Sequence, residues 1–225
     1  MTEPKLNVAA GGSSQGGTVA GAGAGAVLPL GTMKLDELLG ALSAKTPAPG
    51  GGAVVPAVGA IACALAGMVV SYSIGKKDLA GHQAELLSAQ QRLVRGRELL
   101  LKLADEDAAA YALVNALQKL AMDDARRVRE YPAAAEACAG VPRFVLAACV
   151  DLLDLCVGLS GISNKHLKSD LDIACVLLEA CCRCGVVNVK VNLPLIEDED
   201  SRRRVTDECE AMIERAAGLL SRGLA

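Results

Sequence analysis

The chain has 225 residues; 52% are hydrophobic but only 2% aromatic, and the formal net charge is −3. This length holds one domain, or one domain and a tail, and the slightly acidic balance excludes a broad electrostatic nucleic-acid surface, which needs a basic face. With one Phe, three Tyr and no Trp, the core must come from Ala, Leu, Val and Cys; Ala and Leu are strong helix formers, so composition leans all-α.

Residues 1–32 are rich in Gly, Ala and Ser, with few charges and no apolar period. They read as a disordered tail, and residues 33–225 as one helical domain. The tail lacks the continuous apolar stretch of a secretory signal. The nine cysteines are odd in number and irregularly spaced, which fits reduced, buried thiols in a cytoplasmic protein. Cys181-Cys182-Arg183-Cys184 has no second ligand pair at metal-binding spacing, so no metal site is expected. On a helix Cys181 and Cys184 would share a face, with Cys182 pointing elsewhere.

Met33 to Ala44 reads as the first helix, with Leu35, Leu38, Leu39 and Leu42 on one face. Lys45 to Gly52 holds two prolines and three glycines and reads as a loop. Ala53 to Ile74 is nearly uncharged and long enough to span a membrane. Its Ala, Gly, Pro56 and Ser71, and its lack of flanking aromatics, fit the central helix of a soluble bundle better; no membrane partner is expected. Gly75 ends it, followed by Lys76-Lys77.

Leu79 to about Leu120 is a long amphipathic stretch. Asp123 to Tyr131 reads as a bend, after which Pro132 opens a helix to about Val157. Pro142 either kinks that helix or starts a new one. Gly158 to Asn164 is a break. Ser169-Asp170 reads as the start of a helix through Cys184, stopped by Gly185. Val186 to Leu195 has local strand propensity. With no second strand to pair with, it should be an extended or helical link. Glu197 to Arg222 is a final helix. The sum is an all-α, compact bundle of about six helices.

Four separated motifs, in order, carry a resemblance. The first is Thr46-Pro47-Ala48-Pro49-Gly50-Gly51-Gly52 before an Ala-rich helix, similar to an S/T-P-x-P-G-G-G signature. The second is Ile74-Gly75-Lys76-Lys77. The third is Asp107-Ala108-Ala109-Ala110-Tyr111, which resembles D-x-x-A-F/Y. The fourth runs from Ser169-Asp170-Leu171 through Ile173-Ala174 to Asn188-Val189-Lys190-Val191-Asn192. Together they resemble the formimidoyltetrahydrofolate cyclodeaminase / methenyltetrahydrofolate cyclohydrolase family, over everything except the tail. The resemblance implies a helical fold, usually a homodimer, with no metal and no cofactor beyond the tetrahydrofolate substrate. It implies chemistry at the single carbon between N5 and N10. Ala53, Asp78-Leu79 and Ala109 depart from the family pattern, which leaves pocket detail and substrate preference open.

Under that resemblance Asp107 is the expected catalytic group, moving a proton at an amidine-like carbon. The other reading of Asp107 is a solvated residue paired with Lys102. Asp105 and Glu106 are expected to face solvent. Gly50, Gly51 and Gly52, after Pro49, offer free backbone N–H groups to the substrate, or simply close a loop. Lys76 and Lys77 either bind the carboxylates of a folate glutamate tail or sit solvated at a helix end. Asp170 either receives the pterin's N–H groups or, with Ser169, caps a helix. Asn188 and Asn192, four apart in an apolar stretch, need partners if buried, and substrate is one candidate. His82 and His166 are given no role. The expected activity is hydrolysis of 5,10-methenyltetrahydrofolate to 10-formyltetrahydrofolate, because no formiminotransferase segment accompanies this domain. The alternatives are a formimidoyltetrahydrofolate cyclodeaminase and a non-catalytic folate-binding helical dimer.

Overall fold

A computed structural model describes residues 29–224, so the reading of residues 1–28 as a disordered tail lies outside the described residues. The described chain forms six α-helices and no strand: α1 (Leu35–Ser43), α2 (Gly51–Ser71), α3 (Gln83–Gln118), α4 (Ala125–Gly158), α5 (Lys168–Asn192) and α6 (Glu199–Gly223). Leu30–Thr32 make a 3-10 turn before α1. The Leu30 N–H donates to Asp105 Oδ1 at 2.8 Å, so Asp105 is half-buried rather than solvated as expected, while Glu106 is exposed.

The heptad spacing along α3 explains its place. Leu86, Leu93 and Leu100 alternate with Ala89, Gly96 and Leu103, all buried, giving one continuous apolar seam. Opposite lie Val69 and Val70 of α2, Leu146, Val150 and Leu153 of α4, and Leu171 and Leu178 of α5, all essentially solvent-free. Small residues set the helix spacing. A Cβ at Gly96 would come within 2.5 Å of Leu152 Cδ2, and one at Gly59 within 3.0 Å of Leu100 Cδ1. In the aromatic-poor core, α2 packs mainly against α3 and α5 and keeps one side exposed at Val54, Ile61 and Met68, so the expected central position falls instead to α4, which packs against α3, α5 and α6. Helix α2 alone among the described helices is long and apolar enough to cross a membrane, and most of that apolar window is buried inside the bundle.

Several boundaries differ from the sequence expectation. Helix α2 begins inside the glycine triplet: Gly50 is the N-cap, and Gly51 and Gly52 form the first turn. Helix α4 begins at Ala125 rather than Pro132. The Asp124 carboxylate accepts the Arg126 and Arg127 N–H groups at 2.8 and 3.2 Å, and this cap outweighs the polar composition that suggested a bend. Both Pro132 and Pro142 lie inside α4. Gly185 does not stop α5, which continues to Asn192. There the missing side chain lets α4 approach, with Leu146 Cβ 3.3 Å from where a Cβ would stand. The Val-rich segment is helical because one face packs onto the bundle, with Val189 buried. Cys181 and Cys182 are both buried and Cys184 is exposed, so the core takes Cys182 as well as Cys181. Burial pushes the Cys63 and Cys182 thiols up to about 12. They act as small core hydrophobes.

Candidate active site

The first turn of α2, the middle of α3 and the last two turns of α5 meet at one end of the bundle. Between them is a cleft of about 250 Å³ lined by Pro47, Ala48, Gly50 to Ala53, Asp107, Ala108, Tyr111, Asn188, Val191 and Asn192. Pro49 does not line it, although its neighbours do.

Asp107 is the only carboxylate in that lining, and no Lys or Arg joins it. Lys102 pairs instead with Glu106 at 3.5 Å, so the surface ion-pair reading of Asp107 does not apply. Burial alone raises the Asp107 carboxyl above its ordinary value; no hydrogen bond or neighbouring cation opposes the shift. An unpartnered, desolvated carboxylate holds a proton more tightly than a solvated one.

The glycines are explained by contact. A Cβ on Gly52 would overlap the Asp107 carboxylate, and one on Gly51 would stand 3.3 Å from Asn188 Oδ1. Only a residue without a side chain lets α2 begin directly against Asp107. The Gly50 carbonyl accepts from the N–H groups of Ala53 and Val54 at 3.1 and 3.0 Å. The N–H groups of Gly51 and Gly52 precede the first helical bond, at the positive end of the helix dipole. A carboxylate facing unspent N–H groups can exchange protons with a ligand held between them.

Asn192 has a structural task. Pro142 has no N–H, so the Cys138 carbonyl lacks its helical donor. Asn192 Nδ2 fills the gap at 2.9 Å and also donates to the Asn188 carbonyl at 3.2 Å. The end of α5 is thereby tied to α4, which fixes Asn188 beside Gly51. Asn192→Ala is expected to leave a buried carbonyl unsatisfied and lower unfolding free energy by about 1–3 kcal/mol, read from a urea titration.

The remaining expected residues lie elsewhere. After α2, Gly75 adopts a left-handed conformation (φ 79°) and its N–H donates to Gln83 Oε1 at 2.8 Å. The fully buried Ser73 hydroxyl donates to the Val69 carbonyl and accepts the Asn164 N–H at 2.8 Å. Lys76 Nζ donates to Asn164 Oδ1 at 3.2 Å, and Lys77 is exposed. Ser169 and Asp170 are in the first turn of α5. Since α2 begins at the cleft and α5 ends there, these four residues occupy the opposite end of the bundle. The 21 residues of α2 separate the two groups by about 30 Å. Tyr111 was not singled out as a site residue. Its position four residues after Asp107, on the same helical face, is the signal that points to it.

A larger hollow of about 770 Å³ lies between α4 and the start of α6. It holds none of the expected site residues, and its carboxylates Glu106, Glu136, Glu197 and Asp198 outnumber its cations Arg143 and Arg204. The smaller cleft is the better site on chemical grounds.

Residues 34–211 match the family model described as formiminotransferase-cyclodeaminase. The chain belongs to this family. Among relatives in the formiminotransferase-cyclodeaminase family, the methenyltetrahydrofolate cyclohydrolase of Methylorubrum extorquens is 26% identical over 85% of this chain and 94% of its own length. The formimidoyltransferase-cyclodeaminase of Gallus gallus is 25% identical over 82% of this chain, which spans 35% of that longer protein. The crystal structure of formiminotetrahydrofolate cyclodeaminase from Thermotoga maritima superimposes with a TM-score of 0.79 at 30% identity, covering 86% of this chain and 94% of that one. The four motifs from Thr46 to Asn192 all fall within the matched family span.

Proposed function

We propose that this chain is a cytoplasmic enzyme acting on the one-carbon unit of tetrahydrofolate, and that it hydrolyses 5,10-methenyltetrahydrofolate to 10-formyltetrahydrofolate without a further cofactor. The observation that carries the reading is the unpartnered Asp107 carboxylate, raised by burial, packed against the first turn of α2 in a cleft. The relative named a methenyltetrahydrofolate cyclohydrolase supports the reaction.

The methenyl carbon is electrophilic because two nitrogens share its positive charge. Asp107 takes a proton from water as the water oxygen bonds to that carbon. The tetrahedral intermediate then breaks its bond to N5. Asp107 returns its proton to N5, the intermediate's hydroxyl proton leaves to solvent, and the formyl group stays on N10. One proton is released per turnover. A carboxyl with a raised value is a stronger base than an ordinary Asp and a usable acid on the return step. Asn188, the Gly51 and Gly52 N–H groups and Tyr111 orient the ligand around that carbon.

The cyclodeaminase structure at 30% identity favours a second reading. Here N10 attacks the carbon of the protonated formimino group of 5-formiminotetrahydrofolate, Asp107 carries the N10 proton to the departing nitrogen, and ammonia leaves as the methenyl cation forms. Supplying each substrate to the purified protein separates the two. Formation of 10-formyltetrahydrofolate from the methenyl compound, with no ammonia from the formimino compound, is the expected result. Ammonia release faster than methenyl hydrolysis would replace the first reading with the second. We further propose that the enzyme works as a homodimer.

A further inference from the structure

We infer that Cys156 of α4 and Cys175 of α5 are a modification site: a paired dithiol, buried between two antiparallel helices, that a peroxide closes to a reversible disulfide. The pair lies in the bundle core, away from the Asp107 cleft, and does not depend on the folate reading.

The helix register brings the two thiols together. Helices α4 and α5 run antiparallel, and three contacts fix how they pair. Asn192 Nδ2 reaches the Cys138 carbonyl, Gly185 lies against Leu146, and the Cys149 and Cys181 thiols hydrogen-bond to each other. Each advance along α4 is therefore matched by a nearly equal retreat along α5. The next step of the same register puts Cys175 opposite Cys156, and these two thiols also hydrogen-bond. The backbones run close together: a Cβ on Gly185 would stand 3.6 Å from Leu146 Cα. A disulfide needs its two Cα atoms within about 4.4–6.8 Å, and helices packed this closely allow it.

The two thiols are chemically unequal. The Cys156 thiol donates to Cys175; this bond holds Cys175 below the ordinary thiol value, against the effect of burial, and raises Cys156. The thiolate is the attacking form, so Cys175 is the nucleophile and Cys156 the resolving thiol. The Cys175 sulfur attacks one oxygen of hydrogen peroxide, the O–O bond breaks, and a sulfenic acid forms as water leaves. The Cys156 sulfur then attacks the Cys175 sulfur, the S–O bond breaks, and a second water leaves. The two thiols give up two electrons and two protons, and the peroxide takes up both. With its partner beside it, Cys175 stops at a reversible step, short of sulfinic acid.

Cys149 and Cys181 make a second pair of the same kind in different surroundings. The Cys181 thiol also donates to the Val55 carbonyl at 3.3 Å, and a Cβ on Gly59 would stand 3.4 Å from Cys149 Sγ, so α2 covers that pair. Cys156, in contrast, is two residues from the end of α4 at Gly158. All four cysteines are at most 2% exposed, so the oxidant enters through local opening, which costs least near helix ends. The Cys156–Cys175 pair therefore closes first.

The test uses the full chain carrying Cys184→Ser, which removes the one exposed thiol as a competitor. The reduced protein is treated with limiting hydrogen peroxide, unfolded in an alkylating agent, digested and mapped by mass. The expected product joins Cys156 to Cys175, is lighter by two hydrogens, is reversed by dithiothreitol and forms before any Cys149–Cys181 bridge. In the same background Cys156→Ala should leave Cys175 as a sulfenic acid that dimedone captures, whereas Cys175→Ala should leave Cys156 unlabelled. Alkylated thiols at both positions once the peroxide is consumed would overturn the inference. So would a bridge from Cys156 to Cys63, a Cys149–Cys181 bridge that forms first, or sulfinic acid at Cys175 without a bridge. Dimedone on Cys156 after Cys175→Ala, with none on Cys175 after Cys156→Ala, would overturn the assignment of Cys175 as nucleophile. The bridge map of the parent chain decides the pairing even where an Ala variant fails to fold.

Discussion

Asp107→Asn is expected to lower the rate of methenyl hydrolysis by about 10²–10⁴-fold, the usual contribution of a positioned proton-transfer group, and at the same time to stabilise the fold. Asn keeps the shape and cannot take a proton. The stability effect follows from the direction of the shift. Burial raises the Asp107 carboxyl in the folded protein, so the fold favours the protonated form. That contribution is complete below the unfolded-state value, about 3.9 for Asp, and is lost as pH rises through the raised folded value. At neutral pH the ionised group therefore costs stability, and the Asn variant is free of that cost. Its melting temperature should exceed wild type at pH 7, with the gap closing as pH falls toward about 4. A buried carboxyl with this signature would be retained against the interest of the fold. An Asn variant melting below wild type at pH 7 would show that Asp107 is a structural partner.

Gly52→Ala should be nearly as damaging to activity. The glycine is in the first turn of α2, where its backbone suits any L-residue, and Ala is favoured over Gly in a helix by about 0.5–1 kcal/mol. By backbone criteria the substitution is stabilising. Its Cβ, however, would overlap the Asp107 carboxylate. The end of an Asp side chain yields more readily than a helix, so the carboxylate moves. Displacement of a reacting group by about 1 Å can cost about 10²-fold in rate. The expected result is a variant with unchanged or higher melting temperature and a kcat reduced about 10²-fold. Gly51→Ala, whose Cβ would stand 3.3 Å from Asn188 Oδ1, should be milder. Comparing kcat and melting temperature across the pair checks the account. Equal activity of Gly52→Ala and wild type would detach the glycine from Asp107.

These pairings show what was legible in the sequence and what was not. The spacing of Leu86, Leu93 and Leu100 predicts the seam of α3, and Ala, Leu and Cys in place of aromatics predict a closely packed helical core. Helix ends were harder, because Gly and Pro carry opposite meanings by context. Gly185 suggests a stop, yet it is where α5 touches Leu146. Pro142 suggests a kink or a new helix start, yet α4 runs through it, with Asn192 supplying the donor that Pro142 lacks. The Val-rich end of α5 favours a strand locally and is helical because its buried face packs on the bundle. The triplet Gly50 to Gly52 reads as loop by composition. Its purpose lies 55 positions away at Asp107, and no local pattern contains that information.

The site divides in the same way. Of the expected residues, Asp107, Gly50 to Gly52, Asn188 and Asn192 line one cleft. The motifs also included Lys76, Lys77, Ser169 and Asp170, which lie at the opposite end of α2. A motif list has no geometry; the antiparallel course of α2 and α5 separates the two groups within one chain.

The central claim is that Asp107 in this cleft performs chemistry on the folate one-carbon unit. The most direct measurement is the decay of the methenyl absorbance band of 5,10-methenyltetrahydrofolate with wild-type protein and with Asp107→Asn, side by side at neutral pH. The account predicts decay well above the spontaneous rate with wild type and a return to nearly the spontaneous rate with the variant. Equal decay with both proteins would contradict it.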